Sequence, residues 1–539
     1  MREPAEMAGT GRPIAEGQQS VLRDGMVDEM DGHGRTIYGN TKSGSGGTPE
    51  PPTQEAIRFQ PMRSAPFVGI ALGFTAVTAL LVLSTRGQSG TPVSLLVWGG
   101  TVVTMDVTGR VIPDGAVAID GQKIVAVGTV DEIRASYEAA ESINVRGQVI
   151  LPGLINTHTH APMVLYRGLA DDLALMDWLT KYIFPVEKAT VSPDFVRVGT
   201  RLAALEMIES GTTTFVDMYY FEDDIADVTR EAGLRAVLGQ SVIKFPVADA
   251  PTPEAALARA DAFITKWKAD TLITPAVAPH AAYTLEPATL TAARELANRH
   301  GVPLLIHLAE TRDEMKMMQD AHRVSPTRFL DSLGIWSGRS IAAHAVFLDD
   351  ADMDVLAKAG VGVAHNPESN MKLASGVAAL PKWLTSGMRA GLGTDGAASN
   401  NDLDMFEAMR FAALLHKSAT GDPEVLPARQ ALELATRRGA DAIGQGDRIG
   451  SLEPGKQADL NTVGMDGARE TPLFNPISHL VYVTRGDDVR TTIVDGRVLM
   501  RDRQVLSLKP VEVLRDARAM AERVRVAVPP PSSPEAKGK

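Results

Sequence analysis

With 539 residues and 44% hydrophobic content the chain can bury a large core, and one big domain with appendages is the expected organisation. A formal net charge of -12, with no Lys/Arg-rich run anywhere, excludes a polyanion-binding surface, so nucleic acid is not an expected partner. Because cysteine is absent, disulfide frameworks, Fe-S clusters and Cys-ligated zinc sites are excluded, and any metal must be held by histidine and carboxylate.

Residues 1–64 are rich in Gly, Ser, Pro and mixed charge, with "GNTKSGSGGTPEPPTQE" as the extreme, and read as a disordered extension. Residues 65–84 contain "APFVGIALGFTAVTALLVL", an uncharged run about long enough to cross a bilayer as a helix. It offers no polar side to water, so a transmembrane or signal-anchor segment and a membrane association are expected there. Arg58 and Arg63 ahead of the run against Arg86 behind it favour a single-pass anchor with an extracytoplasmic catalytic domain. If Met62 is the true start, the same stretch resembles an export signal; a cytoplasmic-facing domain is the other alternative.

From residue 93 to 150 the pattern is short alternating β segments, "SLLVWGGTVVTMD", "GAVAIDGQKIVAVG" and "SINVRGQVILPG", and a similar texture returns over 448–508. The two flanks predict one small β-sandwich domain assembled from both ends. Between them, over 151–447, eight strand-like runs alternate with helical ones: "LPGLINTHTH", "TTTFVDM", "RAVLGQSVI", "ITPAVAP", "PLLIHLAE", "SIAAHAVFL", "GVGVAHNP" and "RAGLGTDG". Eight is the strand count of a (β/α)8 TIM barrel, so the fold class expected is α/β. Residues 509–539 predict a C-terminal helix and a disordered tail.

In a strand, residues i and i+2 face the same side, so His158 and His160 point together into one cavity. His280, His307, His344 and Asp395 also fall at the C-terminal ends of predicted strands, where a barrel builds its active site. Three neutral imidazoles and one carboxylate suit Zn2+, one ion per chain, with Fe2+ or another divalent metal as alternatives; the ligands assigned are His158, His160, His307 and Asp395. Glu310 lies three residues past His307, placed to shuttle protons to a leaving group, and His344 is placed to hold the attacking water. His33, His300, His322, His416 and His479 read as structural. The "NPESNMKLASG" loop borders substrate through Asn366, Ser369 or Asn370, or else serves only to cap.

The motifs "NTHTH", "HLAE", "AHAVFL", "HNPESNMKLASG" and "GTDGAASNNDLDMFEAMR" resemble the amidohydrolase superfamily. Within it they are similar to the 5-methylthioadenosine/S-adenosylhomocysteine deaminase group and its chlorohydrolase-like relatives, over residues 93–505. The resemblance implies a zinc-dependent barrel with a flanking β-sandwich and the same four metal ligands. It implies that Glu310 and His344 transfer protons and orient water, that Glu187 binds ribose and that His280 contacts substrate. A sister group bridges two metals with a lysine at the end of the fourth strand; "VAPH" offers none there, so one metal is expected. Where adenosine-binding members usually offer an arginine after the third strand, this chain has Gln240, with Lys244 close by as another substitute.

The activity expected is hydrolytic deamination of an aromatic aminoheterocycle, an adenosine-type nucleoside first, by metal-activated water. Asp395 would take the water proton and Glu310 would protonate the ring, with ammonia leaving. Alternatives keep the machinery with another leaving group (chloride, an alkylamine, a ring amide), act on a different aminopurine or pterin, or reduce the protein to a metal-binding scaffold. The partners expected are a small-molecule substrate and water, with homo-oligomerisation left open.

Overall fold

The structure, a computed structural model, describes residues 90–528. Eight parallel strands follow one another in sequence order around a barrel: β6 (Leu154–Thr159), β7 (Thr212–Tyr219), β8 (Arg235–Val242), β9 (Ile273–Pro279), β10 (Leu304–Leu308), β11 (Ser340–His344), β12 (Gly362–His365) and β13 (Arg389–Leu392). Between β13 and β6 no full ladder forms. The seam is closed by Asp395 N donating to the His158 carbonyl at 3.0 Å, and by Thr394 N donating to Asn156 Oδ1 at 3.1 Å.

These strands are buried on both faces, which is why they read as apolar runs rather than as clean alternation. Ile155, Val216, Met218, Val237, Ala276 and Leu305 belong to one cluster that Ile443 and Ile449 complete. Residues on the other side of each strand, such as Phe215, Ala236, Leu238 and Val277, join the large core shared with the helices.

The two flanks of the chain meet in a nine-stranded sheet, in the order β17 (Gln504–Val505), β16 (Arg497–Arg501), β15 (Val489–Val494), β14 (Leu460–Gly464), β5 (Gln148–Pro152), β1 (Thr91–Val103), β2 (Val111–Asp120) and β3 (Lys123–Thr129), with β4 (Tyr137–Asn144) added to β1. The sheet joins the two ends where β5 (Gln148–Pro152) pairs antiparallel with β14 (Leu460–Gly464). Before Gly99, β1 runs beside β4; beyond Gly100 it runs beside β5. The bulge that switches partners needs glycine: Gly99 has φ +91, and a Cβ on Gly100 would lie 2.7 Å from the Gln148 carbonyl oxygen. Past β5 the chain passes directly into the barrel through Gly153, where a Cβ would collide with Thr213.

The expectations of a transmembrane helix and of a membrane-anchored location do not stand. No helix among the described residues is long and apolar enough to cross a membrane. The longest of them, Pro193–Ser210 and Pro510–Ala527, each bury one face and carry charged residues on the rest. Segment 65–84, on which those expectations rested, lies outside the described residues, as do the extension 1–64 and the tail beyond 528.

Candidate active site

His158 is in β6 and His160 directly follows it, so the pleat turns both rings toward the mouth of the barrel. His307 comes from β10 and His344 ends β11, while His280, Glu310 and Asp395 lie one to three residues past β9, β10 and β13. The imidazole Nε2 atoms of His160 and His307 lie 3.4 Å apart, and Asp395 Oδ1 is 3.5 Å from His158 Nε2 and 3.4 Å from His160 Nε2.

Backbone carbonyls set the tautomers. His160 Nδ1–H donates to the Met218 carbonyl and His307 Nδ1–H to the His280 carbonyl, each at 2.8 Å, which leaves both Nε2 lone pairs aimed at the common centre. His158 Nε2 is buried without a hydrogen-bond partner. Burial holds the His158 imidazole down at about 4 and pushes His160 and His307 below their ordinary range, so all three are neutral near pH 7. Burial also works against a charged Asp395, but its contact with His158 and the surrounding imidazoles outweigh it, and the carboxyl stays well below the usual range. Neutral nitrogens converging on an ionised carboxylate, one of them orphaned, fit a divalent cation.

Glu310 and His344 face each other across this centre, with Glu310 Oε2 3.7 Å from His344 Nε2 and Asp395 Oδ2 4.0 Å from the same nitrogen. Burial raises the Glu310 carboxyl. Burial opposes a charge on His344, yet the Glu310 and Asp395 carboxylates prevail and hold it above the ordinary histidine range.

The pocket above the centre is lined by His160, Glu187, His280, His307, Glu310, His344 and Asp395; His158 lies beneath it. Its apolar wall comes from a helical run after β6, in which a π-turn over Leu179–Ile183 interrupts α-helix before Phe184–Thr190. The wider turn brings Trp178, Leu179, Ile183, Phe184 and Glu187 onto one face of the pocket. Glu187 is 8% exposed and accepts a hydrogen bond from Tyr219 Oη at 2.7 Å. Burial pushes its carboxyl up to about 7.

Several residues have roles the sequence did not disclose. Ser369 Oγ at 2.7 Å and Ser399 Oγ at 2.9 Å both donate to Asp395 Oδ2. Asn370 Oδ1 accepts from His344 Nδ1–H at 2.9 Å. Ser369 and Asn370 therefore support the acid and the histidine from behind and are absent from the pocket lining, as is Asn366. Glu314 is buried and accepts from the backbone N–H of Ala309 and Glu310, locking the turn that presents Glu310. Its signal was legible: Thr311-x-x-Glu314 is a helix-start pattern, and Thr311 does cap that helix. Gln240 does not stand in for an arginine, because its amide donates to Asp249 Oδ2 and to the Ser241 carbonyl; Lys244 is exposed, and neither lines the pocket. His300, His322, His416 and His479 bind other partners away from it, and His33 lies outside the described residues.

Residues 149–499 match the amidohydrolase family, and residues 115–137 an imidazolonepropionase-like composite domain of bacteria. A 5-methylthioadenosine/S-adenosylhomocysteine deaminase from Syntrophobacter fumaroxidans is 47% identical over 431 residues, which is 80% of this chain and 98% of that protein. A protein of the same description from Syntrophus aciditrophicus is 44% identical, over 81% of this chain and 99% of its own length. Among solved structures, an adenosine deaminase from Xanthomonas campestris with bound zinc superposes with a TM-score of 0.80 at 39% identity, covering 81% of this chain and all of that one (100%). A zinc-bound atrazine chlorohydrolase from Arthrobacter aurescens has a TM-score of 0.74 at 26% identity, covering 79% and 100%. Barrel, donor set and likeness agree: the chain belongs to the amidohydrolase family and is a hydrolase acting on carbon–nitrogen bonds.

Proposed function

We propose that the protein is a zinc-dependent deaminase of adenosine-type nucleosides, 5-methylthioadenosine and S-adenosylhomocysteine among them. The observation that carries this reading is that one pocket joins the His–Asp centre and the Glu310–His344 pair to the buried carboxyl of Glu187, whose partner is Tyr219. A carboxylate there suits the vicinal hydroxyls of a ribose.

His158, His160, His307 and Asp395 would hold the cation, which supplies Lewis acidity and lowers the pKa of a water molecule toward about 7. Asp395, anchored by Ser369, Ser399 and the Gly396 N–H, accepts the proton that water gives up. His344, its Nδ1 held by Asn370, presents Nε2–H to the oxygen that attacks the amine-bearing carbon. Glu310 gives its proton to the ring nitrogen; the proton held by Asp395 passes to the amine, and the hydroxyl proton returns to Glu310 as the carbonyl forms and the C–N bond breaks, so that ammonia leaves. His280 faces the same space and is the substrate-contacting histidine in this scheme.

The test is ammonia release by the zinc-loaded protein on methylthioadenosine, S-adenosylhomocysteine, adenosine, guanine and an aminotriazine. Release confined to the adenosine compounds is expected. Turnover of the triazine or guanine alone would overturn the nucleoside assignment and point to another leaving group or ring.

A further inference from the structure

The helix Pro367–Lys372, which supports Asp395 and His344 through Ser369 and Asn370, also carries Glu368. Glu368 is 7% exposed; its Oε2 accepts a hydrogen bond from Asn400 Nδ2 at 3.3 Å, while its Oε1 is buried with no hydrogen-bond partner among the described residues. One carboxylate oxygen each from Glu368, Asp402 and Glu407 lie within 4.8 Å of one another. Asp402 precedes the helix Met405–Thr420, and Glu407 stands in its first turn. These two also line a surface cleft, where Glu407 is exposed.

Among the described residues no lysine or arginine pairs with any of the three. Arg503, which lines the same cleft, donates to the Glu209, Gly486 and Val489 carbonyls. Asp404, the acid between them in sequence, is already committed, accepting from the Phe406 and Gly486 N–H groups at 2.9 Å each. Burial and the neighbouring acids push Asp402 up to about 7 and Glu368 well above the usual carboxylate range. The dipole of the helix Met405–Thr420 accounts for Glu407 in its first turn. It does not account for Glu368, which a different helix brings to the same point with one oxygen unpartnered. We propose that Glu368, Asp402 and Glu407 hold a hard divalent cation of the Ca2+ kind, at a site that shares no donor with the His–Asp centre. Oxygens within 4.8 Å of one another suit one ion at about 2.3–2.6 Å from each, with water from the cleft completing its shell. An all-oxygen donor set favours such an ion over zinc, which the imidazoles of the catalytic centre suit. The bound ion ties the helix Pro367–Lys372 to the segment before Met405–Thr420, and these two segments supply Ser369 and Ser399 to Asp395.

The experiment measures uptake of Ca2+, and separately of Mg2+, by the zinc-loaded full chain in equilibrium dialysis without chelator, with zinc content followed in the same samples. Saturable uptake of one Ca2+ per chain is expected, with a Kd on the order of 0.1–1 mM for a site open to water, while zinc stays at its starting level. Glu368→Gln and Glu407→Gln are each expected to weaken it about tenfold or more. Thermal unfolding supplies a second readout: saturating Ca2+ should raise the wild-type Tm by about one to three degrees. Glu368→Gln should raise the Tm without Ca2+, by relieving the crowded charges, and abolish the Ca2+ increment; a merely structural carboxylate would lower Tm equally with and without the ion. Because Glu407 is exposed, Glu407→Gln keeps the test open should Glu368→Gln fail to fold. Mg2+ binding as tightly as Ca2+, and lost in the same variants, also supports a hard-cation site. No saturable uptake of either ion up to about 10 mM, or uptake that survives both substitutions, overturns the proposal.

Discussion

Glu310 is a buried carboxyl whose backbone N–H is held by Glu314 and whose side chain faces His344, and it contributes nothing to the donor set below it. Glu310→Gln is therefore expected to lower kcat by about a thousandfold while metal content stays at the wild-type level; ammonia release and elemental analysis of one preparation check both. A variant that loses metal in proportion to activity would make Glu310 a ligand. Glu187 provides a second residue-scale test through pH. Its folded-state pKa of about 7 lies above the ordinary glutamate value of 4.5, so burial costs the fold nothing below pH 4.5. The cost develops as pH rises through that interval and is complete above 7. Glu187→Gln should thus stabilise the protein by about 3 kcal/mol at pH 8 and by almost nothing at pH 4.5, as read from urea unfolding. The same variant should raise KM for adenosine, and in the wild type KM should climb as pH falls below 7 while kcat changes less.

At the scale of elements, the short helix Pro367–Lys372 holds the catalytic groups from behind, through Ser369 on Asp395 and Asn370 on His344. His344 and Asp395 both have left-handed backbone, φ +72 and +65, a strained state for residues with a Cβ that this support sustains. Asn370→Ala is expected to reduce kcat about 10- to 100-fold with little change in KM, since it frees the histidine ring without touching the pocket lining. An equal loss in KM would place Asn370 against substrate instead. The sequence showed this segment as a candidate substrate border because it follows a barrel strand. Adjacency to the mouth was legible; the direction of its side chains, inward to the ligands rather than toward the pocket, depends on how the helix packs.

For the whole molecule, the barrel and the sheet are fastened by a buried ion pair network. Arg235, at the start of β8, is 1% exposed and donates to Asp459 at 2.9 Å and to Asp495 at 2.9 Å, both in the C-terminal flank. Asn461 Nδ2 donates to the Gly211 carbonyl and Thr492 Oγ1 to the Ile208 carbonyl alongside it. Arg235→Met would leave two buried carboxylates without their cation, and a loss of about 3–5 kcal/mol in unfolding free energy is expected. An unchanged urea midpoint would show that the strand pairing of β5 with β14 is sufficient by itself.

The amino-acid order by itself determined the eight strand-like runs and the histidines at their ends, because burial on both faces demands apolar runs and a two-residue spacing turns His158 and His160 to one side. It also announced the β texture of both flanks. It did not disclose Ser399 or Tyr219, whose partners lie 4 and 32 residues away, and it showed Glu314 only as part of a helix start, not as the acceptor for the Ala309 and Glu310 N–H groups. Nor did it show that Gln240 is spent on Asp249, and it suggested a membrane helix that the described residues do not contain. Local spacing decides which way neighbouring side chains face. Which distant groups then saturate one another's hydrogen bonds, and so which polar residues remain free to meet a substrate, is decided only when the barrel closes.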